Sequence, residues 1–349
     1  MSNNSTEYSI VIVTRNREKA LGLSIPLMLA QTRPPSQMIV VDSSDTPELS
    51  RAVVEANAKR FDFEIEYHVS EPGMTKQRNI GLALVKHEVV MFPDDDSLMF
   101  DDTMAGIMEI YDRDEEGVVG GVCSAEATQL PESVRSKAQE TYNQNSEDKL
   151  RKAVAGIRFY VERHAIKSPF IVVARQKMAK LPIPGWLDEF NAVRVEWATG
   201  FRMSFRTALI REISFDEKLG RYAAYEDTDV SFEVLDSKLL IGANRAQIYH
   251  YKSPEQRSNG YSMGIILVLN MAYVIAKRSD LNFAVRFSFW VFSAYKLMLY
   301  LPSLRSGFGR DRFRGAVAAL RKVNRLFGAD KTNATKTYLE LRDFLGLGA

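Results

Sequence analysis

Asp94, Asp95 and Asp96 are consecutive, and they follow directly on the largely apolar run His87-Glu88-Val89-Val90-Met91-Phe92. Like charges packed this closely destabilise a fold unless something neutralises them. A hard divalent cation held by oxygen ligands is the usual neutraliser. The apolar run reads as the end of a buried strand, and open α/β sheets bind ligands at the carboxyl ends of their strands. The chemistry on offer is therefore a cation that holds a phosphorylated substrate. A solvated acidic turn with an aspartate helix cap explains the same three residues and stays open at this point.

The elements around the acidic run have the order needed to position it. Tyr8-Ser9-Ile10-Val11-Ile12-Val13-Thr14 and Gln37-Met38-Ile39-Val40-Val41-Asp42 read as buried parallel strands. A helix is predicted over 18–31, stopped by Pro34-Pro35, and a second over 47–60 with Pro47 in its first turn. A strand over 63–69, a helix over 74–85 and a strand over 88–92 complete the first half. Strand–helix alternation with short joints predicts a doubly wound sheet. Beyond the acidic run, a helix over 102–111 and a strand over 117–124 are expected, then a polar, mostly helical insertion over 125–181. Strand character returns over 195–205 and again over 239–251, with a helix starting at Tyr225 between them. Everything from residue 258 onward reads as helical.

Composition narrows the class. The chain has 349 residues, 46% of them hydrophobic, enough for a sizeable core in about two domains. A net charge of +2 argues against a dedicated nucleic-acid binder. One cysteine, Cys123, excludes an intramolecular disulfide and fits a reducing compartment. Residues 1–7 lack an apolar signal region and are expected as a disordered lead-in. Charge is uneven: residues 281–349 hold 12 Lys/Arg against 4 Asp/Glu. This basic end includes the aromatic stretch 283–304, which reads either as an amphipathic helix at a membrane surface or as helices packed on protein.

Four matches in order and spacing make the chain resemble the inverting family 2 glycosyltransferases of the GT-A fold. They are Val13-Thr14-Arg15-Asn16-Arg17; Val41-Asp42-Ser43-Ser44-Asp45, followed later by Gln77-Arg78-Asn79-Ile80-Gly81; Phe92-Pro93-Asp94-Asp95-Asp96; and Thr199-Gly200-Phe201 leading to Tyr225-Glu226-Asp227. The resemblance covers residues 8–252. It implies a Rossmann-like, doubly wound mixed α/β sheet with a C-terminal helical extension. Residues 8–257 would be the catalytic domain, with a nucleotide-sugar half (8–124) and an acceptor half (125–257). Residues 258–349 would be a basic, apolar helical region.

The resemblance also implies roles. Asp94 and Asp96 take the two ends of an Asp-x-Asp metal motif for Mn²⁺ or Mg²⁺, Asp96 as the direct ligand and Asp94 as a contact to the ribose or to the metal's outer sphere, with His250 as a third ligand; Asp95 fills the variable place, and Asp94 and Asp95 count among the nucleotide-sugar-binding residues. Asp42 would accept a hydrogen bond from the nucleobase, although an Asx turn explains it as well. Relatives often stack an aromatic residue on the base where this chain has Arg15, which can stack or contact phosphate instead. Thr14, Arg17 and Arg78 join the nucleotide-sugar set, and Arg78 can alternatively buttress the acidic loop or sit exposed on its helix. Asp227 would be the general base and Glu226 its neighbour in orienting the acceptor, against the plainer reading of an acidic helix start. Asp229 reads as a cap or salt-bridge residue. Trp186 and Trp197 are acceptor-side candidates, with core packing equally open.

The implied function is metal-dependent transfer of a sugar from a nucleoside diphosphate sugar, a UDP-sugar by expectation, to a hydroxyl of a glycan or lipid-linked glycan in polysaccharide biosynthesis. The expected place is the cytoplasm or the cytoplasmic face of a membrane, contacted through 261–325, with homo-oligomerisation open. Two alternatives compete. A nucleotidyltransferase would show a glycine-rich basic loop after the first strand, and Thr14-Arg15-Asn16-Arg17 has no glycine. A non-catalytic nucleotide-binding assembly protein would not need Asp96 and Asp227.

Overall fold

The computed structural model describes residues 6–136, 156, 160–220, 222–252 and 259–347. Most of the expected lead-in (residues 1–5), and residues 137–155 and 157–159 of the expected insertion, lie outside the described residues. By compactness the chain divides into two units. The first comprises Met1–Gln144, Lys180–Phe215 and Glu233–Glu255, and the second Asn145–Ala179, Asp216–Phe232 and Gln256–Ala349.

The first unit is built on one mixed sheet of nine strands. Strands β1 (Tyr8–Thr14), β2 (Gln37–Asp42) and β4 (Val89–Pro93) are buried along nearly their whole length. Parallel strands covered on both faces need such unbroken apolar runs. β3 (Ile65–Val69) pairs parallel to β2, β2 to β1, and β1 to β4. The helices between them are α1 (Glu18–Leu29), α2 (Pro47–Phe61) and α3 (Met74–Leu84). Gly81 lets α3 lie against β1, since a Cβ there would meet Val11 Cγ1 at 2.3 Å. The other half of the sheet contains β5 (Ser97–Met99), β6 (Val119–Glu126), β7 (Ala192–Arg194), β8 (Arg202–Arg206) and β9 (Leu239–His250). The strand order is β3-β2-β1-β4-β8-β6-β9-β5, with β7 also on β9. β8 runs antiparallel to both β4 and β6, which makes the sheet mixed. Helices α4 (Thr103–Arg113) and α6 (Thr207–Ile213) belong to this unit.

Besides shifts of one or two residues at element ends, three features differ from the sequence reading. Of the strand expected over 195–205 only the end forms, as β8, while β7 lies before it at Ala192–Arg194; a turn in which Arg202 N donates to Thr199 O occupies the stretch between them. β5 is three residues long, too short to show a period. The helix α6 directly follows β8.

The second unit is helical, with α5 (Pro169–Met178), the start of α7 (Glu226–Val234), α8 (Gly260–Arg278), α9 (Phe283–Tyr300), α10 (Gly307–Phe327) and α11 (Ala334–Phe344). Among the described residues α8 alone is long and apolar enough to cross a membrane, but 67% of its apolar window is buried inside the fold, as in a core helix. α10 packs against it at glycine positions: a Cβ on Gly264 would lie 2.1 Å from Arg312 O, and one on Gly315 2.1 Å from Tyr261 O. Tyr338 of α11 stacks on Tyr273 with centroids 4.0 Å apart and donates to Asn270 Oδ1 at 2.7 Å.

Candidate metal and donor site

The chain leaves β1 toward β2 on one side, while β4 lies on the other. The carboxyl ends of β1 and β4 therefore flank the point where strand order reverses, the place where doubly wound sheets bind ligands. Two loops emerge there, 14–17 from β1 and 94–96 from β4, joined by a bridge between Val13 and Asp94.

The three aspartates sit in a tight turn. Ser97 N donates to Asp94 O at 3.0 Å, and Asp94 N donates to Ser97 Oγ at 3.1 Å. β5 leaves this turn and pairs antiparallel with β9, which sets Ser97 opposite His250. Tyr251 N then donates to Asp96 O at 3.1 Å. This register carries the imidazole to the acidic turn, with His250 Nε2 3.4 Å from Asp96 Oδ1. Phe201 stacks on the ring, with centroids 4.4 Å apart and planes 15° from parallel.

Asp94, Asp96 and His250 each offer a ligand atom, and these atoms lie within 4.8 Å of one another. Ligands held about 2.1 Å from a small divalent cation are themselves on the order of 3–4 Å apart. Two carboxylates and an imidazole on rigid elements thus fit such a cation in number, type and spacing. The electrostatics agree. Burial, with Asp96 adding to it, raises the Asp94 carboxyl above the usual range against the pull of Arg78. Burial likewise raises Asp95, against the pull of Arg17. Burial works against a charged His250, but the adjacent Asp96 and Asp94 hold its pKa above the ordinary value. A cation would relieve the carboxylate crowding directly.

Two arginines neutralise the turn within the protein. Arg17 Nη1 donates to Asp95 Oδ1 at 2.9 Å and approaches Asp96 Oδ2 at 3.3 Å. Thr14 Oγ1 donates to Asp95 Oδ2 at 2.8 Å. Arg78 is not exposed on its helix: it is fully buried, donates to Asp94 Oδ1 at 3.1 Å and to Gly200 O at 3.4 Å, and faces the Phe215 ring. The exposed reading of Arg78 is thus excluded, and its bond to Asp94 fits a buttress of the acidic loop.

Asp42 is fully buried and accepts from Ser44 N at 2.7 Å, Ser44 Oγ at 2.5 Å and Tyr67 Oη at 2.5 Å. The Asx turn is therefore present. Arg15 pairs with Asp45 at 2.7 Å, and Asn16, at φ 52°, donates to the other oxygen of Asp45. These contacts tie the loops after β1 and β2 together. Trp186 packs edge-on to Phe190 at the margin of the core, 6.0 Å between centroids, and Trp197 is half-buried.

In the second unit, Glu226 and Asp227 open α7, Glu226 buried and Asp227 partly exposed. Asp227 Oδ1 accepts from Thr228 N at 2.7 Å and Thr228 Oγ1 at 3.2 Å. Tyr225, just before them, has φ 74°, a strained value for an aromatic residue, and its ring packs edge-on to Phe170 at 4.9 Å. Asp229 is held by Arg278 at 2.7 and 3.0 Å and by Lys277 at 3.0 Å, the salt-bridge role expected for it. Sequence reasoning passes over Ser97, Phe201, Tyr67 and Ser44 as site residues. Phe201 within Thr199-Gly200-Phe201 and Ser44 within Val41-Asp42-Ser43-Ser44-Asp45 lie in motifs that carry the resemblance; Ser97 and Tyr67 do not.

Residues 9–167 match the family model for Glycosyl transferase family 2. No curated protein matches the chain. Solved structures similar to it include the mannosyltransferase PcManGT from Pyrobaculum calidifontis in complex with GDP-Man and Mn2+, 14% identical, TM-score 0.52, covering 99% of this chain and 88% of that one. GalNAc-T7 with UDP, GalNAc and Mn2+ is 14% identical, TM-score 0.55, over 98% of this chain and 57% of that one. Residues 1–349 of S. aureus TarS in complex with UDP-GlcNAc are 14% identical, TM-score 0.50, over 97% and 90%. Identities this low speak to the fold, and the fold is the mixed sheet described above. Residues 9–167, a little under half of the chain, thus resemble glycosyl transferase family 2, and the fold over nearly the whole chain is similar to that of the solved glycosyltransferases named above.

Proposed function

We propose that the protein transfers a sugar, with inversion, from a nucleoside diphosphate sugar to a hydroxyl of a glycan or lipid-linked glycan in polysaccharide biosynthesis. The observation that carries this reading is the juxtaposition of Asp94, Asp96 and His250 within 4.8 Å at the switch point of the sheet. Two carboxylates with one imidazole favour Mn²⁺, with Mg²⁺ next, because magnesium prefers an all-oxygen shell. That PcManGT was solved with GDP-Man and Mn2+, and TarS with UDP-GlcNAc, supports a nucleotide-sugar donor. Donor binding is assigned to residues 8–124 and acceptor binding to 125–257.

A divalent cation bound to these residues supplies Lewis-acid stabilisation for the charge on the departing nucleoside diphosphate. The protein's own groups do the rest. Arg17 and Arg78 hold the carboxylates of the turn in place. Phe201 fixes the plane of His250. Asp42 is assigned to the base, with its orientation set by Ser44 and Tyr67. Asp227 is the general base: it takes the proton of the acceptor hydroxyl as that oxygen bonds to the anomeric carbon. The anomeric C–O bond to the diphosphate breaks, and its electron pair leaves with the diphosphate. One displacement inverts the configuration. The Thr228 N–H and hydroxyl, both on Asp227 Oδ1, fix the orientation of that carboxylate.

The test is a thermal-shift screen of nucleoside diphosphates and their sugars with Mn²⁺, followed by turnover of the ligand that stabilises most. Asp227→Asn should keep donor binding and lower turnover by about a hundredfold or more. Absence of any stabilising nucleotide, with or without Mn²⁺, would overturn the donor class, and turnover by Asp227→Asn at the wild-type rate would overturn the base.

A further inference from the structure

α9 is apolar on two sides. Val285, Phe289 and Phe292 are buried in the second unit. Phe283, Phe287, Trp290, Val291, Met298 and Leu301 are exposed, Phe283 at 81% and Phe287 at 58%. At 100° per residue these six positions fall within an arc of about 100° and form one stripe about 27 Å long. An isolated exposed phenylalanine needs no explanation, but a continuous aromatic stripe marks a contact surface.

Its charge setting identifies the partner. Between residues 283 and 300 there is no Asp or Glu. Arg286, Arg305, Arg310 and Arg314 are all exposed on or after this helix. Arg286 donates to the main-chain carbonyls of Leu281 and Phe327, which leave its charge in place. Residues 281–349 as a whole hold 12 Lys/Arg against 4 Asp/Glu. A stripe of Phe and Trp on a helix that carries Arg286 and no acidic residue, followed in the chain by exposed Arg305 and Arg310 and by Arg314, 4.0 Å from Asp311, has the composition of a helix lying in the headgroup layer of an anionic bilayer. The other apolar stretch, on α8, is core and unavailable for such contact.

We propose that α9 docks the protein on a membrane containing anionic phospholipid, with the stripe from Phe283 to Leu301 at the acyl boundary and the arginines on lipid phosphates. Binding is read without donor or acceptor, so its outcome is independent of the sugar-transfer reading.

The experiment is flotation of the full chain with vesicles of phosphatidylcholine, with and without phosphatidylglycerol. The full chain should float with the anionic vesicles. Phe287→Ser/Trp290→Ser should lower the partition coefficient about tenfold or more, and Arg305→Glu/Arg310→Glu should lower it on anionic vesicles. Phe287, Arg305 and Arg310 are exposed, and Trp290, 37% exposed, packs edge-on to Phe289, so each double variant should remain folded by circular dichroism, with a lower thermal midpoint expected only where Trp290 is replaced. As a second reading, brominated phospholipid should quench wild-type tryptophan fluorescence, and Trp290→Phe should lose that quenching. Failure of the wild type to float with either vesicle, or flotation of Phe287→Ser/Trp290→Ser equal to wild type, would overturn the proposal. So would a wild-type dimer in sedimentation that this variant turns into a monomer, with no vesicle binding by either, since the stripe would then be a self-interface.

Discussion

Replacing Arg78 by methionine removes a guanidinium that is 1% exposed and leaves Asp94 Oδ1 without the donor now 3.1 Å away. The methionine stem keeps much of the packing against Phe215, whose ring centre lies 5.4 Å from the guanidinium carbon. Breaking a buried ion pair by deleting one partner costs about 3–5 kcal/mol, because the other charge stays behind. Asp94 is 30% exposed, so water recovers part of its solvation, and the pair itself is worth about 2–3 kcal/mol. Loss of the bond to Gly200 O adds about 1 kcal/mol. Arg78→Met should therefore lower unfolding free energy by about 3–4 kcal/mol, measured by urea titration in the presence of a chelator so that no cation replaces the arginine. In a double-mutant cycle, Asp94→Asn on top of Arg78→Met should return about 2 kcal/mol, since the stranded charge is then gone. A loss under about 1 kcal/mol, or a cycle in which the two substitutions simply add, would refute the assignment of Arg78 as the counterion that holds the acidic turn.

Asp96→Ala should weaken Mn²⁺ binding at least tenfold in calorimetric titration, and an unchanged isotherm would contradict its ligand role. In the second unit, burial pushes Asp216 up, but Lys277 at 2.7 Å and Tyr273 at 2.7 Å outweigh it and hold the carboxyl below its usual range. A carboxyl depressed in the folded state contributes stability that is present above its unfolded pKa and is lost as pH falls through the folded value. Stability should decline below about pH 4, and Asp216→Asn should flatten that decline; an identical acid limb in the variant would exclude Asp216 as a contributor. Gly264→Ala should cost about 1–3 kcal/mol, because its Cβ would meet main-chain Arg312 O at 2.1 Å and Ala316 N at 2.7 Å. A thermal midpoint equal to wild type would show that α8 and α10 are not in backbone contact at this position.

How far the fold was legible depended on whether burial left a local trace. β1, β2 and β4 are covered on both faces, so aliphatic runs such as Ile10-Val11-Ile12 were unavoidable there and easy to read. β5 has three residues and exists because β9 lies beside it, so nothing within Ser97-Leu98-Met99 could announce it. Residues 195–205 carry strand composition throughout, yet Thr199-Gly200 makes a turn, and only Arg202–Arg206 keeps the ladder with β4 and β6. Two apolar stretches lie near the C-terminus, one rich in Ile, Leu, Val and Met over 261–276 and one in Phe, Trp, Tyr and Leu over 283–304. They differ because α8 receives α10 across glycines, whereas the outer face of α9 receives nothing among the described residues. That difference is tertiary, and hydropathy along the chain cannot carry it.

The acidic run shows the same division at the scale of single atoms. Three identical side chains in sequence meet three different environments in the fold. Asp94 faces Arg78, sixteen positions upstream on α3. Asp95 turns to Thr14 and Arg17 in the loop after β1. Asp96 meets His250, delivered from the far end of β9 by the pairing of Ser97 with His250. The alternation follows from the tight turn, which points successive side chains in different directions while β4 and β5 fix its two ends. Asp95 accepts from Thr14 and Arg17, and Arg17 also reaches Asp96 at 3.3 Å, while Asp94 and Asp96 on either side lie within 4.8 Å of the imidazole. The spacing Asp-x-Asp is thus tied to turn geometry: the two outer carboxylates cluster with the imidazole, and the middle one anchors the loop that follows β1.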